Sequence, residues 1–317
     1  MVQGSIVREI LKFRAILSRE VHYTMRGIIL AGGSGKRLYP LTLATSKHLL
    51  PIYDKPMIYY PLSTLMMAGI QEILIITKPC DLQSYCDLLG DGSRFGVKLN
   101  FKVQEQPTGV AQALTLAEDF LQDNGCTLIL GDNIFYGNGF EELLKNAVRN
   151  VKTNGGARVF AQPVTMPERY GIVELGIDGR IVSLEEKPQK PKSNYAVTGL
   201  YVYDSRAVKF AKSIKLSSRH EYEITDVNKL YLGSNELNVT VLDSKTYNWF
   251  DAGTIDNLME AASCIKAIQG MNKKLVAVPE EIAYNNGWIT KKDLAHAAQW
   301  QGETSYGEYL MQLAKNK

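Results

Sequence analysis

The segment Gly27-Ile-Ile-Leu-Ala-Gly-Gly-Ser-Gly-Lys-Arg-Leu38 constrains this chain most. A buried-type apolar run, Ile28 to Leu30, delivers a glycine-rich turn and then a cationic side chain, which is phosphate-handling architecture. Gly32, Gly33 and Gly35 let the backbone bend and present bare N–H groups to an anion, and Arg37 adds a fixed fork of donors suited to phosphate oxygens. Two better-known phosphate motifs fail here. A P-loop needs Ser or Thr after Gly-Lys, where this chain has Arg37, and a glycine five residues before Gly35, where it has Leu30. The dinucleotide fingerprint fails at Leu38 and again at Pro40, which stands where a helix should be running. What remains is an extended glycine-rich nucleotide loop, with a plain strand-to-loop turn as the alternative.

A chain of 317 residues, 45% hydrophobic, can bury a large core and holds one big α/β domain with an appended piece, or two domains. The net charge of +3 is too small, and the basic residues too dispersed, to argue for nucleic acid or a membrane surface as partner. Cys80, Cys86, Cys126 and Cys264 show no Cys-x-x-Cys pairing, so they read as buried thiols of a soluble cytoplasmic protein. No apolar stretch reaches the length of a membrane span. Residues 1–24 stand apart: Ile6, Ile10, Phe13 and Leu17 recur at helical spacing among basic residues. That stretch reads as a non-essential extension, or alternatively as a docking helix, ahead of a domain that opens at Met25 and runs to 317 with a helical segment from about 255.

Beyond the loop, strand-like runs alternate with helical patterns. A helix entered through Pro56 and stopped by Gly69 is followed by strands over 72–77 and 97–104, a helix over 110–121 and a strand over 127–130. This rhythm predicts a mostly parallel sheet between helices, with ligands at the carboxyl ends of the strands. Asp132 stands just past such an end, where a carboxylate meets bound phosphates and can hold a divalent cation, or, alternatively, bonds its own turn. Asp251, after two aromatics and before Gly253, occupies a similar setting, and two carboxylates beside a phosphate loop point to magnesium. Gly199 inside the run 194–204 marks close approach of another backbone or a ligand.

Together these strings carry a specific resemblance. The glycine loop, Ser46-Lys-His-Leu-Leu-Pro51, Leu130-Gly-Asp-Asn-Ile-Phe-Tyr-Gly137, Glu185-Glu-Lys-Pro188, Asn194-Tyr-Ala-Val-Thr-Gly-Leu200, Glu223-Ile-Thr-Asp226 and Trp249-Phe-Asp-Ala-Gly-Thr254 resemble the sugar nucleotidyltransferases. The Gly-Asp-Asn-Ile-Phe-Tyr-Gly and Asn-Tyr-Ala-Val-Thr-Gly-Leu strings are closer to the family's glucose-1-phosphate thymidylyltransferase branch, and the match runs in order from Met25 to about residue 310. The resemblance implies an α/β fold, a Rossmann-like three-layer sandwich with a mostly parallel mixed sheet of the nucleotide-diphospho-sugar transferase type. It implies in-line attack of glucose 1-phosphate on dTTP with Mg2+, the first step of dTDP-deoxysugar synthesis such as that of dTDP-L-rhamnose, by a homotetramer under end-product feedback.

Carried over by motif position, Gly32, Gly33 and Arg37 would hold the triphosphate, and Lys47 would contact phosphate near the reacting centre. Gln104 and Gly109 would read the thymine edge. Asp132 and Asp251 would hold the metal, Lys187 and Arg219 the sugar phosphate, while Gly171, Glu186 and Val197 would face the glucose. Arg37, Lys47 and Lys187 form the catalytic set. The chain departs from its relatives' pattern at Lys36, where Thr is usual, at His48, where Gln is usual, and at Ala252, which replaces a Thr. Two rivals stay open: a uridylyl- or cytidylyltransferase on the same sugar phosphate, and a catalytically silent sugar-nucleotide-binding regulator.

Overall fold

The structure, a computed structural model, describes residues 24–315; the helical pattern read in residues 1–24 lies outside the described residues except for Thr24. The apolar run ahead of the glycine loop forms β1 (Met25–Ala31). A short antiparallel pair, β2 (Pro51–Ile52) and β3 (Lys55–Pro56), precedes helix α1 (Tyr59–Met67). The alternation continues through β4 (Glu72–Thr77), α2 (Leu82–Leu89), β5 (Lys98–Val103), α3 (Gln112–Leu116), α4 (Glu118–Leu121) and β6 (Gly125–Leu130). Next come β7 (Asn133–Gly137), α5 (Phe140–Asn154), β8 (Ala157–Pro163), β9 (Gly171–Leu175), β10 (Ile181–Glu186) and β11 (Tyr195–Tyr203). Then follow α6 (Ala207–Ser213), α7 (Ile224–Gly233), β12 (Leu237–Val241) and β13 (Tyr247–Asp251). Helices α8 (Ile255–Asn272), α9 (Pro279–Asn285), α10 (Lys291–Gln301) and α11 (Ser305–Lys315) close the described chain.

β1 is central because it is apolar on both faces. It pairs in parallel with β4 on one side and β6 on the other, which sets Ile29 opposite Ile75 and Ile129. Successive residues point to opposite faces, so Ile29 packs with Leu65 of α1 and Leu144 of α5, while Ile28 packs with Leu114 of α3 and Val227 of α7. Each such fully buried side chain contributes roughly 1.5–3 kcal/mol relative to exposure. The sheet order is β10-β9-β11-β6-β1-β4-β5, with β8 beside β11 and β12 beside β8. β11 runs antiparallel to β6, β8 and β9, so the mostly parallel mixed sheet that was expected has its antiparallel part on the side that carries the later motifs. Among the described residues no helix is long and apolar enough to cross a membrane.

Several boundaries differ from the sequence reading for identifiable reasons. Pro56 does not open α1, because the following amides are committed elsewhere: Met57 N bonds Leu50 O at 2.9 Å and Ile58 N bonds His48 O at 2.9 Å. Pro61 instead sits in the first turn, where its missing N–H costs nothing. The helix expected over 110–121 breaks at Ala117, which adopts φ −84°, ψ 1°. Of the four cysteines read as buried thiols only Cys126 is buried, and Cys80 is exposed.

Candidate active site

The glycine loop leaves β1 and turns at Gly35, whose φ of 65° favours glycine. Gly35 O accepts Leu38 N at 2.9 Å and the Thr42 hydroxyl at 2.8 Å, while fully buried Leu38 pins the short turn over Lys36–Leu38. Arg37 is thereby aimed across the loop at Gly253, where an added Cβ would stand 2.9 Å from the guanidinium and 2.8 Å from Asp251 Oδ1. A cavity of about 300 Å³ lies over this loop, lined by Gly33, Arg37, Lys47, His48, Asp132 and Gly253 among others.

Asp132 and Asp251, far apart in sequence, meet through a two-stranded ribbon. β13 pairs antiparallel with β7, setting Asp251 opposite Asn133, and Ala252 N bonds Asp132 O at 3.0 Å. Burial opposes the charge on Asp132, but Lys47, which pairs with it, together with His48 and the Asn133 amide, holds its carboxyl well below the usual range. Asp251 goes the other way: burial, and then the Asp132 charge, raise its pKa against the pull of Lys47 and Arg37. A lowered and a raised carboxyl side by side form a site short of positive charge. Among the described residues no group of three or more metal-ligating side chains occurs. Two carboxylates suit a hard divalent cation that takes its remaining ligands from phosphate oxygens and water.

Lys47 stands on a short turn held from behind by Tyr85, whose hydroxyl lies 2.9 Å from Ser46 Oγ and 3.2 Å from His48 Nδ1. Burial, reinforced by the Lys47 charge, lowers the His48 pKa to about 4, so this imidazole is neutral near pH 7.

A second cavity of about 250 Å³ adjoins the first and shares Arg37 and Asp132 with it. Its lining brings together Gly171, Glu186, Lys187, Val197, Arg219 and Asp251. Glu186 ends β10, with Oε2 accepting the Thr225 hydroxyl at 2.5 Å. An added Cβ on Gly171 would stand 3.1 Å from that same oxygen and 3.0 Å from the Thr225 hydroxyl, so a side chain there would push both back by a few tenths of an ångström. Lys187 follows with φ 43°, an uncommon conformation for a side-chain-bearing residue, held by its N–H on Tyr170 O at 2.9 Å. Arg219 is clasped by Glu223 at 2.7 and 3.1 Å and reaches Glu186 at 3.3 Å and Glu221 at 3.2 Å. Partial burial opposes its charge, yet these carboxylates, Glu223 first, push its pKa up. The charge of Arg219 is therefore already compensated by carboxylates, through its Nε and Nη2.

Gly32, Gln104 and Gly109 line neither cavity. The Gln104 carbonyl oxygen packs directly on Gly32, and Gly109, at φ 113°, passes so close to the Tyr222 backbone that a Cβ would clash with it.

Sequence reasoning missed Asn133, which is 2% exposed. Its Oδ1 accepts Gly199 N at 2.9 Å and Trp249 Nε1 at 2.6 Å, and its Nδ2 donates to Asp132 Oδ1 at 2.9 Å. One amide thus joins β7, β11 and β13. At Gly199, where another backbone or a ligand was expected, the close approach is by this side chain instead, since a Cβ there would stand 2.6 Å from Asn133 Oδ1. Trp249 and Tyr170, ring centroids 5.5 Å apart at 63°, also line the cavity and escaped notice, because aromatics near a strand end read equally well as core.

The model of the nucleotidyl transferase family matches residues 26–267. Glucose-1-phosphate thymidylyltransferase of Neisseria meningitidis is 51% identical over 291 residues, covering 92% of this chain and 100% of that protein. The enzyme of the same name from Mycobacterium tuberculosis is 49% identical, covering 91% and 99%. A crystal structure of a Bacillus anthracis protein described as a glucose-1-phosphate thymidylyltransferase, with sucrose, superposes with TM-score 0.69 at 41% identity, covering 76% of this chain and 95% of that one. A UDP-glucose pyrophosphorylase with UDP-glucose superposes at 0.68 but at 22% identity, and so bears on the fold alone.

Proposed function

The chain belongs to the nucleotidyl transferase family, and from that membership we propose how its own residues carry out the transfer. It moves the thymidylyl group of dTTP to α-D-glucose 1-phosphate, giving dTDP-glucose and pyrophosphate. An oxygen of the sugar phosphate forms a bond to the α-phosphorus as the bond to the departing pyrophosphate breaks. The nucleophile is already an anion, so no side chain need take a proton, and the work of the site is aiming and charge neutralisation.

Gly32, Gly33 and Arg37 hold the triphosphate, and Lys47, released from Asp132, neutralises charge near the reacting phosphorus. Gln104, with the backbone at Gly109, reads the thymine. Glu186 accepts glucose hydroxyls, while Gly171 and Val197 let the ring lie against backbone. Lys187 and Arg219 aim the 1-phosphate. The family generally uses a divalent metal; Mg2+, held by Asp132 and Asp251, would screen the charge crowded at the α-phosphorus. The resemblance to the thymidylyltransferases implies a homotetramer with feedback by the pathway's end sugar nucleotide, and assembly would give exposed Leu41, Leu43, Met259 and Met271 apolar positions to cover. A cytoplasmic location follows from the need for dTTP.

The observation that carries this reading is the pair of adjoining cavities that share Arg37 and Asp132, one over the glycine loop and the other lined by Glu186, Lys187 and Arg219 among other charged residues. Pyrophosphate release with glucose 1-phosphate and Mg2+, compared for dTTP, UTP and CTP, tests it. Release with dTTP as the preferred nucleotide supports it; no release, or a preference for CTP, overturns it.

A further inference from the structure

A backbone N–H can only donate a hydrogen bond, and that one-way rule fixes the polarity of a short chain of groups behind the nucleotide loop. Thr108 N donates at 2.9 Å to the side chain of Gln112, the first residue of α3. The group that Gln112 presents there must therefore be its carbonyl oxygen. The same oxygen receives Gln104 at 2.7 Å, so Gln104 must present its NH2 to Gln112. With its amide nitrogen turned back, Gln104 directs its carbonyl oxygen the other way, onto Gly32.

Neither end of this relay is free to turn over. Thr108 is held in place because its own carbonyl accepts Tyr222 N at 2.7 Å, while Ala111 N bonds Tyr222 O at 3.1 Å. Gln104 leaves the end of β5 with its N–H on Thr77 O at 2.8 Å and is 2% exposed, so its amide has little room to turn over. A flipped Gln104 would set its oxygen against the Gln112 oxygen, two buried acceptors facing each other.

We propose that Gln112 is a positioning residue that sets nucleobase selectivity by locking the Gln104 amide with its acceptor toward the base. This rests on the reading of Gln104 as the base-facing residue. Thymine and uracil carry a donor at N3, whereas cytosine carries an acceptor there. A locked carbonyl oxygen rewards the first two and opposes the third, and an amide free to rotate serves either. Gln112 is thus a specificity element that need not touch substrate, and it selects by hydrogen-bond direction, which leaves the C5 methyl unread.

The test compares kcat/KM for dTTP and dCTP in the full chain carrying Gln112→Leu, Gln112→Glu or Gln104→Leu, with melting temperatures as the folding control. Gln112→Leu removes the acceptor and should reduce the dTTP-to-dCTP ratio at least tenfold. Gln112→Glu keeps an acceptor for both donors and should hold the ratio within about threefold of wild type. A purely structural role would lower both nucleotides together, so an unchanged ratio in Gln112→Leu overturns the proposal. Gln104→Leu separates the two levels. If it collapses the ratio while Gln112→Leu does not, only the locking role is lost; if neither changes it, the base-facing assignment of Gln104 falls as well.

Discussion

Replacing Asn133 with Ala removes one buried side chain that three separate elements share. Two donors, Gly199 N–H and Trp249 Nε1–H, lose their acceptor, and Asp132 loses a donor. Each buried donor left without a partner costs about 1–3 kcal/mol. Trp249 is only half-buried, so water can recover part of its share. The expected loss is therefore about 2–4 kcal/mol, which for a chain of this size lowers the melting temperature by roughly 4–8 °C. Asn133→Asp is the informative partner variant. It retains both acceptor contacts but sets a carboxylate against Asp132 in place of a donor, so it should lose stability through like-charge repulsion that eases as the pH falls, and lose most of the turnover. Urea unfolding read by tryptophan fluorescence, alongside initial rates, measures both. A free energy of unfolding for Asn133→Ala within about 0.5 kcal/mol of wild type would falsify the view that this amide ties the site together.

The other predictions concern neighbouring groups. Burial and the Asp132 charge raise the Asp251 pKa, so ionising this carboxyl opposes folding; Asp251→Asn should melt at or above wild type without metal, gain nothing from Mg2+, and lose turnover by orders of magnitude. A melting temperature clearly below wild type would contradict this. Lys187→Ala should raise the KM for glucose 1-phosphate and lower kcat while leaving equilibrium dTTP binding unchanged, and a large loss of dTTP binding would move Lys187 to the other pocket. Burial opposes the charge on Asp204, but Arg206, Tyr231 and Gly156 outweigh it and lower its pKa. Its stabilisation is thus complete above the unfolded carboxyl pKa of about 4 and fades as pH falls through the lower folded value. Asp204→Asn should accordingly cost about 1–3 kcal/mol at pH 7 and progressively less below pH 4, as followed by unfolding across pH. A chain starting at Met25 should keep full activity, and a drop of more than a few degrees in melting temperature would give the preceding residues a packing role.

What was legible in the sequence depended on how local its cause was. The strand Glu72–Thr77 appears with the boundaries read from its apolar run, because a strand buried on both faces needs no partner to be recognised. Asp132 drew notice because it stands just past a buried strand, where a carboxylate can meet bound phosphates. Asn133, next to it, was missed because an Asn in a turn most often bonds its own backbone, and its partners Gly199 and Trp249 are remote in sequence. The meeting of Asp132 with Asp251 depends on the ribbon of β7 and β13, a pairing that no local pattern encodes. Arg219 came into view only through the family resemblance, as a partner of the sugar phosphate, and its contacts with Glu186, Glu221 and Glu223 depend on the path of the loop ahead of α7. The helix expected over 110–121 failed for a different reason, since its apolar spacing survives the break at Ala117.

The central claim is that both substrates meet at Arg37 and Asp132 and react directly, with no covalent adduct on the enzyme. Stereochemistry at the α-phosphorus tests this most directly. One diastereomer of dTTP with sulfur on the α-phosphorus is turned over with glucose 1-phosphate, and the configuration of the resulting dTDP-glucose analogue is assigned by phosphorus NMR. A single in-line displacement requires inversion. Retention would mean two displacements through a nucleotidylated side chain, and would contradict the account.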